Sequence, residues 1–174
     1  MEILHDFEKQ VDWSIYEKEE KALPLINDNK YLLKGYIVKE RNKETYSLIR
    51  FFKISKNTIK DFDEISKILT CPDFDEVSGF LPFTKIEQFS IGNDVYMRVI
   101  NPFYDYIPIS DISNLSDTQK HKIIIKLVHS MCALHDHGII YETFNPKKVL
   151  ITNNFEPLLF DYGLDQLIAS DNQL

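Results

Sequence analysis

Residues 135–151 read HDHGIIYETFNPKKVLI. The stretch leaves a helix at Gly138, turns through a polar loop with Pro146 near its centre, and enters an apolar run at Val149, Leu150 and Ile151. Gly138 is a natural helix stop, because a C-terminal cap uses a left-handed backbone that side chains resist. Upstream, Ser116 and Gln119 have the spacing of a capping box, so a helix is predicted from Ser116 to Gly138. Downstream, KVLIT and PLLF flank Asn153-Asn154 and predict a hairpin. Asp161-Tyr162-Gly163 follows it directly.

Toward the N-terminus, residues 31–39 (YLLKGYIVK) and 45–52 (TYSLIRFF) are rich in aromatic, aliphatic and β-branched residues. The polar ERNKE separates them, and they predict paired strands. Residues 58–69 place Ile59, Phe62, Ile65 and Leu69 at helical spacing, and CPDF ends that helix. TKIEQFSI and DVYMRVI flank Gly92-Asn93, a second hairpin signal. Pro102 and Pro108 bracket an irregular linker. At the start of the chain Ile3, Phe7, Val11 and Ile15 recur every four residues. That spacing predicts an amphipathic helix, which either docks on the body or serves as a partner-binding arm. The order of elements is α+β, an antiparallel sheet with one helix joined to a helical second lobe.

Composition narrows the function. The chain has 174 residues, 44% hydrophobic and 27% charged, which is ample for a packed core. Its net charge of −7 argues against a general nucleic-acid binder. No apolar stretch is long enough to span a membrane, and the N-terminus lacks a signal-peptide core. Two cysteines, Cys71 and Cys132, without metal-type spacing, make a reducing, cytoplasmic setting the expectation. His135 and His137 lie at a helix end with no carboxylate or cysteine at ligand spacing, and read as solvated. Asp61, Asp63, Asp73 and Asp75 lack the pattern of an EF-hand and read as a solvated acidic face. No metal site and no cofactor are expected.

Residues 134–163 resemble the catalytic core of eukaryotic protein kinases, whose loop reads H-R-D-L-x-x-x-N and whose next hairpin is followed by D-F-G. In order of elements the likeness extends over residues 29–165. It implies a kinase-like N-lobe at 29–100, preceded by the helical extension expected at 1–28, and a kinase-like C-lobe at 101–174, mainly helical and truncated after Asp161-Tyr162-Gly163.

The departures from the family pattern concern chemistry. Tyr141-Glu142-Thr143 stand at H-R-D, and a threonine hydroxyl cannot accept a proton at neutral pH as the family's aspartate does. Asn145 replaces the loop lysine, and Lys148 puts a cation where the family holds magnesium with asparagine. Glu142 reverses the charge of the usual arginine. The glycine positions of the phosphate-covering loop fall on Tyr31, Leu33 and Tyr36, with Gly35 the nearby glycine. SLIRFF laid over V-A-I-K puts Arg50 at the lysine and Leu48 at the alanine that packs on adenine. The helix glutamate that pairs with this lysine corresponds to Phe62 or Glu64, depending on a two-residue gap. Tyr141 and Tyr162 keep rings where the family stacks an internal hydrophobic column.

The resemblance therefore implies a pseudokinase, a scaffold or regulatory module acting through protein contacts. The alternative is a nucleotide sensor that uses Arg50 and Asp161 without turnover, and a third reading is an enzyme with rearranged residues. Lys148 is expected to pair with Asp161 within about 4 Å, its ammonium standing in for the metal. Apolar residues cover about 200° of the long helix, where a half-exposed helix needs little more than about 100°. The face around Ile125 and Cys132 is therefore expected to be an interface for self-association or a protein partner.

Overall fold

A computed structural model describes residues 6–19, 32–54, 59, 61–104, 106–140 and 144–168. Ile3, Tyr31, Tyr141, Glu142 and Thr143 lie outside the described residues. The chain divides into two compact units. The first comprises 1–66, 83–104 and 166–174, and the second 67–82 and 105–165. Residues 67–82, which the linear reading places with the sheet, thus belong to the second unit.

The first unit is built on a five-stranded antiparallel sheet in the order β1-β2-β3-β5-β4. Its strands are β1 (Tyr16–Glu19), β2 (Leu32–Glu40), β3 (Tyr46–Lys53), β4 (Lys85–Ile91) and β5 (Asp94–Phe103). β3 is central, and Leu48, Ile49, Arg50, Phe51 and Phe52 are all buried, which suits its run of large side chains. Phe7, Val11, Tyr36, Val38, Ile49, Phe51, Tyr96 and Ile100 form one apolar cluster. The Gly92-Asn93 hairpin is present, with Ile91 opposite Asp94 and Gly92 at φ 60°.

Two expectations change here. The N-terminal segment is not one long helix. Residues 6–8 are helical, and then Asp12 takes over the backbone: its Oδ1 accepts from the Ser14 amide at 3.0 Å and hydroxyl at 2.5 Å. This turn competes with helix continuation, and Tyr16–Glu19 go on to pair with β2. Phe7 and Val11 still dock in the core, as the first of the two readings has it, whereas Ile15 is exposed. Pro102 also proves to be part of a strand, opposite Ser47. β4 pairs with β5 only as far as Ile100, so a residue without an N–H is tolerated beyond it.

α1 (Phe62–Leu69) follows the sheet's first three strands, with Phe62 and Leu69 buried. The second unit holds α2 (Asp117–Asp136) and a small sheet of β6 (Ile107–Pro108), β7 (Val149–Ile151) and β8 (Pro157–Leu159), in that order. The segment around Phe80 joins the β8 edge: Leu159 donates to Gly79 O at 2.8 Å, and Leu81 donates to Leu159 O at 2.9 Å. Gly79 has φ 90°, and a Cβ there would fall 2.4 Å from Ser130 Oγ. Only glycine fits this contact, which brings the Ser130 hydroxyl to Ser78 O at 2.9 Å.

Both ends of α2 form as the sequence indicates. Ser116 Oγ accepts from the Gln119 amide at 3.2 Å, and Gln119 Oε1 accepts from the Ser116 amide at 2.8 Å. At the other end Ile139 donates to Leu134 O and Gly138 to His135 O, both at 2.9 Å, with Gly138 at φ 74°. These two bonds are a Schellman motif, and its apolar pair Leu134 and Ile139 is buried. Ser116→Ala is expected to cost about 1 kcal/mol and to lower the unfolding midpoint by about 2–4 °C, measured by circular dichroism.

Candidate functional site

The loop and hairpin after α2 place the second unit's candidate residues. Asn145 caps a short 3-10 turn, Pro146–Lys148: its Oδ1 accepts from the Lys147 amide at 3.0 Å, and its carbonyl accepts from the Lys148 amide at 2.8 Å. The residue at the family's lysine position thus holds backbone. Lys148 O accepts from the Phe160 amide at 2.8 Å, which fixes the start of β7 against the end of β8.

The Lys148 ammonium does not follow the expectation of an Asp161 pair. It lies 3.3 Å from Asp165 Oδ2. The physical reason is solvation. Asp165 is exposed, whereas Asp161 is 3% exposed, and drawing a lysine ammonium to a buried carboxylate would strip both charges of water. The Lys148–Asp165 pair is a surface contact worth less than about 1 kcal/mol.

Asp161 has φ 58°, in the left-handed region that aspartate tolerates better than most residues. Its carbonyl accepts from the Leu164 amide at 3.3 Å. The next two residues are held tightly. Tyr162 is fully buried, with its ring 4.9 Å from Phe80 and 5.3 Å from Phe74, and its hydroxyl donates to Leu69 O at 3.2 Å. Gly163 has φ 67°, and a Cβ would fall 2.7 Å from Leu69 Cδ2 and 3.0 Å from Ile139 Cγ2. The glycine of the Asp-Tyr-Gly motif is thus set by packing as well as by backbone conformation.

In the first unit, Arg50 is 0% exposed. Its Nη2 donates to Asn101 Oδ1 at 2.8 Å, and its guanidinium lies 5.5 Å from the centre of the Phe52 ring. Asn101 is a partner the sequence alone did not indicate; the strand register pairs Leu48 with Asn101 and Arg50 with Val99, so the two meet diagonally. Of the two candidates for the helix glutamate, Phe62 is buried and Glu64 exposed. Tyr36, laid on a glycine position of the phosphate loop, is committed to the core. Its ring lies 5.8 Å from Trp13 and 6.2 Å from Phe51. Its phenol is pushed up to about 12, chiefly by burial and then by the charge of Glu8, which it meets at 3.4 Å. Leu33 lies at a bulge in β2, where the register shifts between Leu32 and Lys34, and is exposed.

The two helix-end histidines have different surroundings. His135 is exposed, as expected. His137 is half-buried: its Nδ1 lies 2.9 Å from Ala133 O, its Nε2 lies 3.4 Å from Asp73 Oδ2, and its ring is 4.8 Å from that of Phe74. Cys71 is half-buried beside them. Asp61, Asp63, Asp73 and Asp75 are exposed, and Asp75 accepts from the Ser78 amide at 2.7 Å, which holds its carboxyl below the usual range.

No protein-family model matches the chain. Over 45 residues it is 36% identical to human receptor-interacting serine/threonine-protein kinase 1, a span of 26% of this chain and 7% of that protein. The crystal structure of the Mycobacterium tuberculosis PknI kinase domain superposes with a TM-score of 0.59 at 15% identity, over 92% of this chain and 62% of that domain. The fold is protein kinase-like, an α+β arrangement with an antiparallel five-stranded sheet. Among the described residues no helix is long and apolar enough to cross a membrane.

The packing around the motif sets a stability test. Tyr162→Phe removes the hydroxyl and leaves the Leu69 carbonyl buried, at an expected cost of about 1 kcal/mol. Gly163→Ala forces a side chain into a left-handed backbone and against Leu69, at an expected cost of about 1–3 kcal/mol. Urea denaturation should rank the alanine variant below the phenylalanine variant, and the reverse order would contradict the packing described.

Proposed function

We propose that this chain is a pseudokinase, a kinase-like module without phosphoryl transfer that works as a scaffold or regulator through protein contacts. Phosphoryl transfer depends almost wholly on positioning and on charge stabilisation by metal ions. The observation that carries the reading is Lys148. By the resemblance it stands where asparagine would hold magnesium, and its ammonium faces Asp165 at 3.3 Å rather than Asp161. Thr143 at the position of the catalytic base, outside the described residues, supports the same reading from sequence.

A second reading, weak nucleotide sensing without turnover, draws on Asp161 and Arg50. Asp161 keeps a left-handed backbone ahead of Tyr162-Gly163, and Arg50 keeps a cation at the family's lysine position. A thermal-shift titration with ATP, with and without magnesium, separates the two readings: no shift favours the scaffold, and a shift insensitive to chelator favours the sensor.

For the contact surface, α2 supports the expected face. Ile124, Ile125 and Val128 are 57%, 57% and 54% exposed, and Cys132 is exposed as well. Contiguous apolar surface of this kind marks interfaces. We place self-association or a protein partner on that face.

Two outcomes are expected. Incubation with radiolabelled ATP and magnesium should label neither the protein nor a generic substrate above a protein-free background. Labelling of the parent chain above that background, unchanged by Thr143→Ala, would sink the pseudokinase reading. Ile125→Glu should lower the mass measured by light scattering, or abolish partner binding, while the unfolding midpoint stays within about 2 °C of the parent, as surface changes usually do.

A further inference from the structure

Cys71, Asp73 and His137 come from two distant stretches of the chain, the segment after α1 and the end of α2. One ligand atom from each lies within 4.8 Å of the others. We propose that they form a binding site for a divalent zinc-type ion. The proposal is independent of whether the chain binds nucleotide or transfers phosphate.

The donor set fits the ion. Thiolate and imidazole select borderline transition metals such as zinc and cobalt over magnesium or calcium, and a carboxylate completes a common three-ligand set. Tetrahedral zinc holds its ligand atoms about 3.4–3.8 Å apart, given bonds of about 2.0–2.3 Å. The His137–Asp73 separation is already 3.4 Å. A shift of about 1 Å or less brings in the Cys71 thiol, which is half-buried with access to solvent. Three protein ligands leave the fourth position for water.

The orientation of His137 is an independent argument. A carbonyl oxygen can only accept, so Nδ1 must donate to Ala133 O at 2.9 Å. In the neutral ring the lone pair is then on Nε2, the nitrogen that faces Asp73. Metal-bound histidines are held in the same manner, with the second ring nitrogen donating to a carbonyl or carboxylate. The Schellman cap at Gly138 and the Phe74 ring hold the imidazole further in place. On binding, Cys71 releases its thiol proton to solvent and coordinates as thiolate, any proton on His137 Nε2 is released likewise so that the neutral ring coordinates through that nitrogen, and Asp73 coordinates as carboxylate.

Such an ion would clamp the 71–74 segment to the end of α2. Phe74 packs on both His137 and Tyr162, so the clamp would stiffen the surroundings of the Asp-Tyr-Gly motif.

The test is a cobalt titration of the full chain under a non-chelating reductant. Expected are one cobalt ion per chain, a thiolate-to-cobalt charge-transfer band, tetrahedral visible bands, and displacement of the cobalt by zinc. Cys71→Ser should remove the charge-transfer band, and His137→Gln should weaken binding about 10-fold or more. Asp73→Asn, at an exposed position that leaves packing intact, should weaken binding as well. Cys132→Ser and His135→Gln should leave the spectrum unchanged. A chain that shows no thiolate-to-cobalt band would overturn the site, leaving the 3.4 Å His137–Asp73 contact as the whole of the arrangement. A band that survives Cys71→Ser, or disappears with Cys132→Ser, would overturn the site equally.

Discussion

The fully buried ring of Tyr162 is the constraint around which the second unit is organised. It meets Phe74 and Phe80, and its hydroxyl holds the last carbonyl of α1, Leu69 O. Phe80 in turn sits in a segment bonded to β8, and Gly163 admits Leu69 and Ile139 where any side chain would collide. A helix end, a sheet edge and the cap of α2 thus converge on two consecutive residues. An aromatic ring of this size supplies the apolar burial, and its hydroxyl satisfies a carbonyl that would otherwise be costly to bury. Nothing in this packing requires a proton acceptor or a metal ligand. This part of the kinase-like fold is therefore held by packing and one hydroxyl, independently of the loop's chemistry.

What could be read from the sequence was local. The capping box at Ser116, the Gly138 stop and the Gly92-Asn93 hairpin each depend on residues within a few positions of one another, and each forms. Longer-range features were harder. Phe7 and Val11 do dock, but the helix ends at Glu8, Asp12 captures Ser14 in a turn beyond it, and pairing with β2 makes a strand of Tyr16–Glu19. Pro102 is accommodated in β5 because β4 pairs with that strand only as far as Ile100, a fact about a neighbour rather than about proline. The residues matched to the family's catalytic positions were legible as changes of chemistry, yet their partners were not. Asn101 reaches Arg50 through strand register, and Lys148 prefers the solvated Asp165 to the buried Asp161. Cys71, Asp73 and His137 were read separately because no spacing rule covers ligands so far apart in sequence.

Charge is distributed between two regimes. Arg50 and Asp161 are buried, where an ionised group survives only with polar or charged neighbours. Lys148, Asp165 and the aspartates near α1 are at the surface, where water and salt weaken their effect. Burial and solvation thus set which of these charges depend on specific neighbours and which on water.

The outermost strands of the five-stranded sheet have a bearing on assembly. β1 offers Glu17 and Lys18, with Glu17 tied to Arg41 at 2.5 Å. β4 offers Lys85, Gln88 and Ser90 to solvent, and Lys85 is paired with Glu87 at 2.5 Å. A free sheet margin invites cross-β stacking between copies, and charged side chains along it are the usual deterrent, since an incoming backbone would have to dehydrate them. Backbone pairing between copies along these two strands is therefore disfavoured.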